Sequence, residues 1–188
     1  MDSDRSTCAH IQPGKNQPHT HTVIFLHGEG ITARELRQGS VKSPQNICLH
    51  FEHLPKCFPT FRWVFPQALP HPVSRKPQWF EVFDDQNRYQ NEDVGLPGLR
   101  RAIVDTIILI REEAQTLGGQ FDHIVLAGHG MGCAVAVQTL FNLFDYPYVP
   151  YHHRRLAAFM GFGGWYPFFY GHSNSLWTLR RKMFPEWG

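Results

Sequence analysis

Gly128, Gly130 and Gly132 stand at alternate positions in LAGHGMGCA (126–134), where a β-branched apolar run gives way to small apolar residues. Glycines at this spacing permit a sharp turn from strand to helix. In acyl-transfer chemistry such a turn lifts a nucleophile from its middle position, with small residues on either side so that the bend fits. Here the middle residue is Gly130, which has no side chain to attack with. The helix expected from Met131 still aims free N–H groups at the turn, and its positive end favours developing negative charge. The pattern predicts the bend and its electrostatics without the reacting atom.

Other reactive side chains lie near this turn or form small groups. Cys133, one helical turn on, has two readings: a thiol activated by a helix N-terminus, or a small buried hydrophobe, which is the better fit to a helix packed on a sheet. His129 is expected to pack beside the strand end or to orient a loop; binding a ligand is the alternative, with no partner identifiable in the sequence. HTH (19–21), HFEH (50–53) and HH (152–153) raise the question of a metal. His50 and His53 would share a helix face, but no H-E-x-x-H pattern accompanies them, so no metal site is expected.

Four strands and two long helices would position these groups. TVIFLHG (22–28) reads as a strand buried on both faces, FRWVFPQA (61–68) as a second, HIVLAG (123–128) as a third and LAAFMGFGG (156–164) as a fourth. A helix is expected from about Leu99 to Gly118–Gly119, with Ile103, Ile107 and Ile110 on one face. A second covers 131–144. Residues 1–21 read as a flexible lead-in, 29–60 as one short helix followed by loop, and 69–93 as a long proline-bearing loop. Strands alternating with helices predict a mostly parallel sheet wound on both faces, with ligands gathering at the carboxyl ends of the strands.

The 188-residue chain is long enough for one domain, and its net charge of +2 comes from scattered basic residues. No basic stripe points to nucleic acid. The apolar runs are strand-length, too short for a membrane span. Four separated cysteines behind a polar start predict reduced thiols and a cytoplasmic setting. No cofactor motif is present.

In order along the chain, TVIFLHGEG, then FPQA with PQWFEV, then HIVLAGHGMGCA, then LAAFMGFGGWYP together resemble the phospholipase/carboxylesterase branch of the α/β-hydrolases, the group that includes acyl-protein thioesterases. The resemblance covers 22–167 and leaves 168–188 unassigned. It implies a three-layer α/β-hydrolase-like fold, C-terminally truncated. It implies an ester or acyl-thioester substrate, either a small molecule or a lipidated protein. It also implies an oxyanion hole from the backbone N–H groups of Glu29 and Met131, and an acyl groove at Trp79, Phe80 and Phe83.

The same resemblance implies an order Ser…Asp…His. Gly130 stands at the serine position. The acidic residues that follow it are Asp145 and Glu186, and the histidines are His152, His153 and His172, all outside the expected motifs. The expectation is therefore a hydrolase lineage with impaired or absent catalysis; the alternative is a non-catalytic acyl-ligand or protein-binding descendant. Without further strands, 156–164 would form an apolar sheet edge open to self-association, unless covered by tail aromatics such as Trp165, Phe168, Phe169, Tyr170 and Trp177.

Overall fold

The computed structural model describes residues 8–38, 53–82, 87, 92–143, 155–167 and 184. Its centre is a five-stranded sheet of β1 (Ala9–Ile11), β2 (His21–Leu26), β3 (Phe61–Phe65), β4 (Ile124–His129) and β5 (Ala158–Phe162), in the order β1-β3-β2-β4-β5. β3, β2, β4 and β5 run parallel, and β1 is antiparallel to β3. β2 and β4 lie inside the sheet and are buried along nearly their whole length, which explains why they read as unbroken apolar runs.

Period-two alternation divides the apolar residues between two faces. Ile24, Leu26, Val64, Ile124 and Leu126 pack with α3 (Leu96–Thr116) and α4 (Met131–Leu143). Val23, Phe25, Trp63, Val125 and Ala127 pack on the other face with Ala33 and Leu36 of α1 (Ala33–Arg37). A short α2 (Leu54–Cys57) precedes β3. The mostly parallel three-layer α/β arrangement is therefore the one the alternation predicted.

Helix ends follow their local chemistry. Thr32 and Glu35 form a reciprocal capping box on α1. α3 starts at Leu96, three residues before the expected start near Leu99, with Pro97 in its first turn. Gly118 (φ +70) and Gly119 (φ +89) end that helix in the left-handed region. On its buried side, Leu99, Ile103, Ile107 and Ile110 are fully enclosed.

One expectation needs correction. The stretch 1–21 contains β1, a strand too short and too polar to show alternation. Its register, Ala9 opposite Phe65 and Ile11 opposite Trp63, comes from pairing with residues more than fifty positions away. The segment 69–93 is loop where it is described, with one bridge between Pro70 and Pro77 and the 3-10 turn Glu92–Gly95 at its end. Among the described residues β5 stands at one side of the sheet, with Ala158 and Gly161 exposed.

Candidate active site at the carboxyl end of the sheet

β4 ends at His129 and α4 begins at Met131, leaving Gly130 alone at the apex with φ +54. That left-handed backbone favours glycine. The Gly130 amide donates to the Phe162 carbonyl at 2.8 Å, tying the bend to the end of β5. The flanking glycines are required by close approach. A Cβ on Gly128 would meet the Gly132 carbonyl oxygen at 2.5 Å, and one on Gly132 would overlap the carbonyls of Leu26 and His27. α4 can therefore dock directly on the ends of β2 and β4. A Cβ on Gly130, in contrast, would meet nothing nearer than Gly28 Cα, at 3.7 Å. The apex has room for a side chain that the sequence does not supply.

Glu29 lies half-buried in the turn after β2. Gly30, next to it, adopts φ +71 and donates to Pro77 O at 2.8 Å, joining this turn to the 70–77 hairpin. Met131 is buried at the first position of α4, and its sulfur accepts from the Trp79 amide at 3.3 Å. Trp79 also donates from Nε1 to the His27 carbonyl at 2.8 Å. The W-F segment is thus pinned between the turn after β2 and the start of α4.

His27, at the end of the first apolar run, is a part of this site that sequence reasoning missed. Its Nδ1 donates to Gly28 O at 2.8 Å, and its Nε2 accepts from the Ala68 amide at 3.0 Å. Burial lowers its pKa to about 4, so the ring is neutral near pH 7. Trp79 packs on it with ring centroids 4.9 Å apart. The H-G pair in the sequence was the only available signal.

The expected groove residues separate. Trp79 is half-buried and borders a cavity of about 640 Å³ between the 66–69 segment and α3, also lined by Pro66, Leu69, Ala102 and Leu109. Residues 128–132 do not line that cavity. Phe80 is instead a core residue, 7% exposed. Its ring lies 5.9 Å from Trp165, and Gly95 and Gly98 come close against it. Large aromatic area favours enclosure once a helix can reach it. Phe83 lies outside the described residues, as do His50, Asp145, His152, His153, Phe168, Phe169, Tyr170, His172, Trp177 and Glu186.

Cys133 follows its packing reading. A Cβ on Gly161 would lie 2.8 Å from its sulfur and one on Gly164 2.5 Å, so the thiol is lodged under the end of β5. Burial pushes its pKa up, which disfavours the thiolate. His129 is 7% exposed and packs against Gly28. Burial lowers its pKa, and its Nε2 has no hydrogen-bond partner among the described residues. No group of three metal-ligating side chains occurs among the described residues, and none of their helices is long and apolar enough to cross a membrane.

Comparison with known proteins places this geometry in context. Acyl-protein thioesterase 1 of Schizosaccharomyces pombe is 27% identical over 157 residues, covering 79% of this chain and 58% of the relative. Acyl-protein thioesterase 1 of Yarrowia lipolytica is 29% identical over 133 residues, covering 64% and 50%. The chain thus spans little more than half the length of these relatives. In fold it is similar to Zea mays acyl-protein thioesterase 2, with a TM-score of 0.58 at 20% identity, covering 95% of this chain and 67% of that one. It is also similar to the Bacillus cereus carboxylesterase, with a TM-score of 0.54 at 14% identity, covering 88% and 63%. The sequence pattern of the Phospholipase/Carboxylesterase family matches residues 6–184, so the chain belongs to that family.

Proposed function

We propose that this chain recognises carboxylic esters or acyl-thioesters, carried by a small molecule or a lipidated protein, and that it turns them over at or near the background rate. The observation that carries the reading is Gly130 at the apex of the strand–turn–helix, in a left-handed backbone with open space where a side chain would stand. In a complete site the apex residue attacks the acyl carbonyl, a histidine takes its proton and an acid orients the histidine. Gly130 cannot take the first step. Loss of a nucleophile leaves the residual rate that binding and oxyanion donors provide, a loss on the order of a million-fold in a well-studied protease.

What remains suits recognition. The backbone N–H groups of Glu29 and Met131 are the proposed donors to the acyl oxygen. Met131 opens a 13-residue helix whose dipole favours negative charge there. The acyl chain would follow Trp79 into the cavity of about 640 Å³, a size within the usual range for small-molecule sites. The neutral thiol of Cys133, held under β5, supports the absence of a substitute nucleophile.

Hydrolysis of short- and long-chain acyl esters and thioesters, with a fluorophosphonate probe in parallel, tests the reading. The expected result is no turnover above buffer and no labelling, together with saturable binding of a long-chain acyl ligand. Gly130→Ser should fold, because a Cβ there meets no atom closer than 3.7 Å. It should lose roughly 1–2 kcal/mol from the left-handed backbone and remain at background activity. Turnover in the natural chain that disappears in Cys133→Ala would overturn the reading.

A further inference from the structure

β1 is only three residues long, and a side chain of β3 reinforces its backbone pairing. The Arg62 guanidinium donates from Nη1 to Gln12 Oε1 at 2.7 Å and from Nη2 to His10 Nδ1 at 3.2 Å. Arginine has no acceptor, so His10 Nδ1 is bare and the neutral ring carries its proton on Nε2. The rest of the fork is committed to Glu113, at 2.9 Å from Nε and 3.2 Å from Nη2. Arg62 therefore clasps β1 to β3 and α3 at once. The register that sets Ala9 opposite Phe65 brings Cys8 across from Pro66 one step on. Both line the cavity of about 640 Å³, together with Ala102, Asp105 and Leu109 of α3. The residue that leads into β1 is thus part of the cavity wall.

We propose that β1 is a proton-released strap on this cavity: protonation of His10 at Nδ1 turns the acceptor facing Arg62 into a donor, detaches β1 from β3 and opens the wall at Cys8. The ligand rests on the acyl-recognition reading; the strap does not. The charged groups acting on His10 are Arg62 of β3, Glu113 of α3 and Arg37 of α1. His19, ahead of β2, shares the influence of Glu113 and Arg62. Glu113 favours a charged His10, but both its oxygens already accept from Arg62. Burial and then the arginines oppose that charge, so in the clasped strand His10 takes up its proton below the ordinary value of 6.5. The released strand binds the proton more readily, so the strap holds above pH 6.5 and loosens as pH falls. On the opposite face Ala9 and Ile11 add apolar contact, both half-buried, which leaves so short a strand dependent on its polar clasp.

Amide hydrogen exchange of the full chain, followed by NMR between pH 7 and 5, tests the proposal. Protection of Ala9–Ile11, corrected for intrinsic exchange, should fall by up to about tenfold per pH unit below 6.5, the limit for one linked proton. Protection of β4 should hold. Relaxation of the Leu109 methyls by a soluble gadolinium chelate should rise in parallel, and hexadecanol, which carries no titrating group, should dissociate faster. His10→Asn, whose side-chain oxygen reaches the place of Nδ1 and takes no proton, should keep β1 protected throughout. His10→Lys, a permanent cation beside Arg62, should release it already at pH 7.

Equal protection of β1 at pH 7 and 5 in the natural chain overturns the proposal. So does an Asn variant that loosens as the natural chain does, which would trace the effect to another group such as His19. Loosening of β1 with no change at the Leu109 methyls overturns it as well. Should neither variant fold, the ¹⁵N shifts of His10 decide: a proton on Nδ1 at pH 7 contradicts the clasp. Failure of hexadecanol to bind at pH 7 would remove the acyl-recognition reading, while β1 protection and the Leu109 methyls would still decide the strap.

Discussion

At the scale of single residues, the site is governed by groups that burial keeps uncharged. The folded state holds His27 at a pKa of about 4, against an ordinary value of 6.5. As pH falls, the unfolded chain therefore takes up this proton first. The stabilisation is fully present above about 6.5 and is lost progressively toward pH 4, by roughly 3 kcal/mol for this group. Burial lowers His10, His19, His21 and His129 in the same direction, which adds to the slope. Urea unfolding between pH 4 and 7 should show stability rising with pH. His27→Asn should flatten part of that rise, and an unchanged slope in the variant would contradict the assignment. Gly130 acts at the same scale in the opposite sense: what matters is the atom it lacks.

At the scale of elements, one buried ion pair fastens the long helix to the sheet. Glu113 of α3 is 5% exposed and accepts from Arg62 of β3, at 2.9 Å from Nε and 3.2 Å from a terminal nitrogen. Thr22 of β2 adds a third hydrogen bond at 3.2 Å. The forked geometry of arginine satisfies both carboxylate oxygens, which is the condition for a buried pair to be tolerated. Glu113→Ala leaves Arg62 partly buried without this partner and should cost roughly 3 kcal/mol of unfolding free energy. Glu113→Gln should cost less because it keeps one acceptor. Thermal unfolding of the two variants beside the natural chain measures the difference.

At the scale of the whole molecule, distant parts of the chain close one core. Phe184, far along the chain from the elements it meets, is 1% exposed within the cluster formed by α3, α4 and the sheet. The Arg100 guanidinium lies 5.6 Å from its ring centre. Phe184→Ala should therefore lower stability by roughly 3–5 kcal/mol, as expected for truncating an enclosed aromatic. Denaturant unfolding that shows less than 1 kcal/mol of change would mean that Phe184 is not part of the cooperative core. The family match from 6 to 184 spans the same long-range closure.

The sequence alone determined the elements governed by local rules. Short apolar runs located β2, β3, β4 and β5, and helical spacing or small apolar residues located the two long helices, all to within a few residues, because these signals are written in neighbouring side chains. It also determined that Gly130 brings no nucleophile, since no fold can give glycine a reactive atom. Only the tertiary structure decided the rest. β1 exists because β3 offers it a register, and Phe80 turns into the core because Gly95 and Gly98 let the helical segment come close. Cys133 lies beneath β5, and His27 holds a peptide of the turn because Ala68 and Trp79 fix its ring. Each of these depends on contacts between residues far apart in the chain, which no local period records.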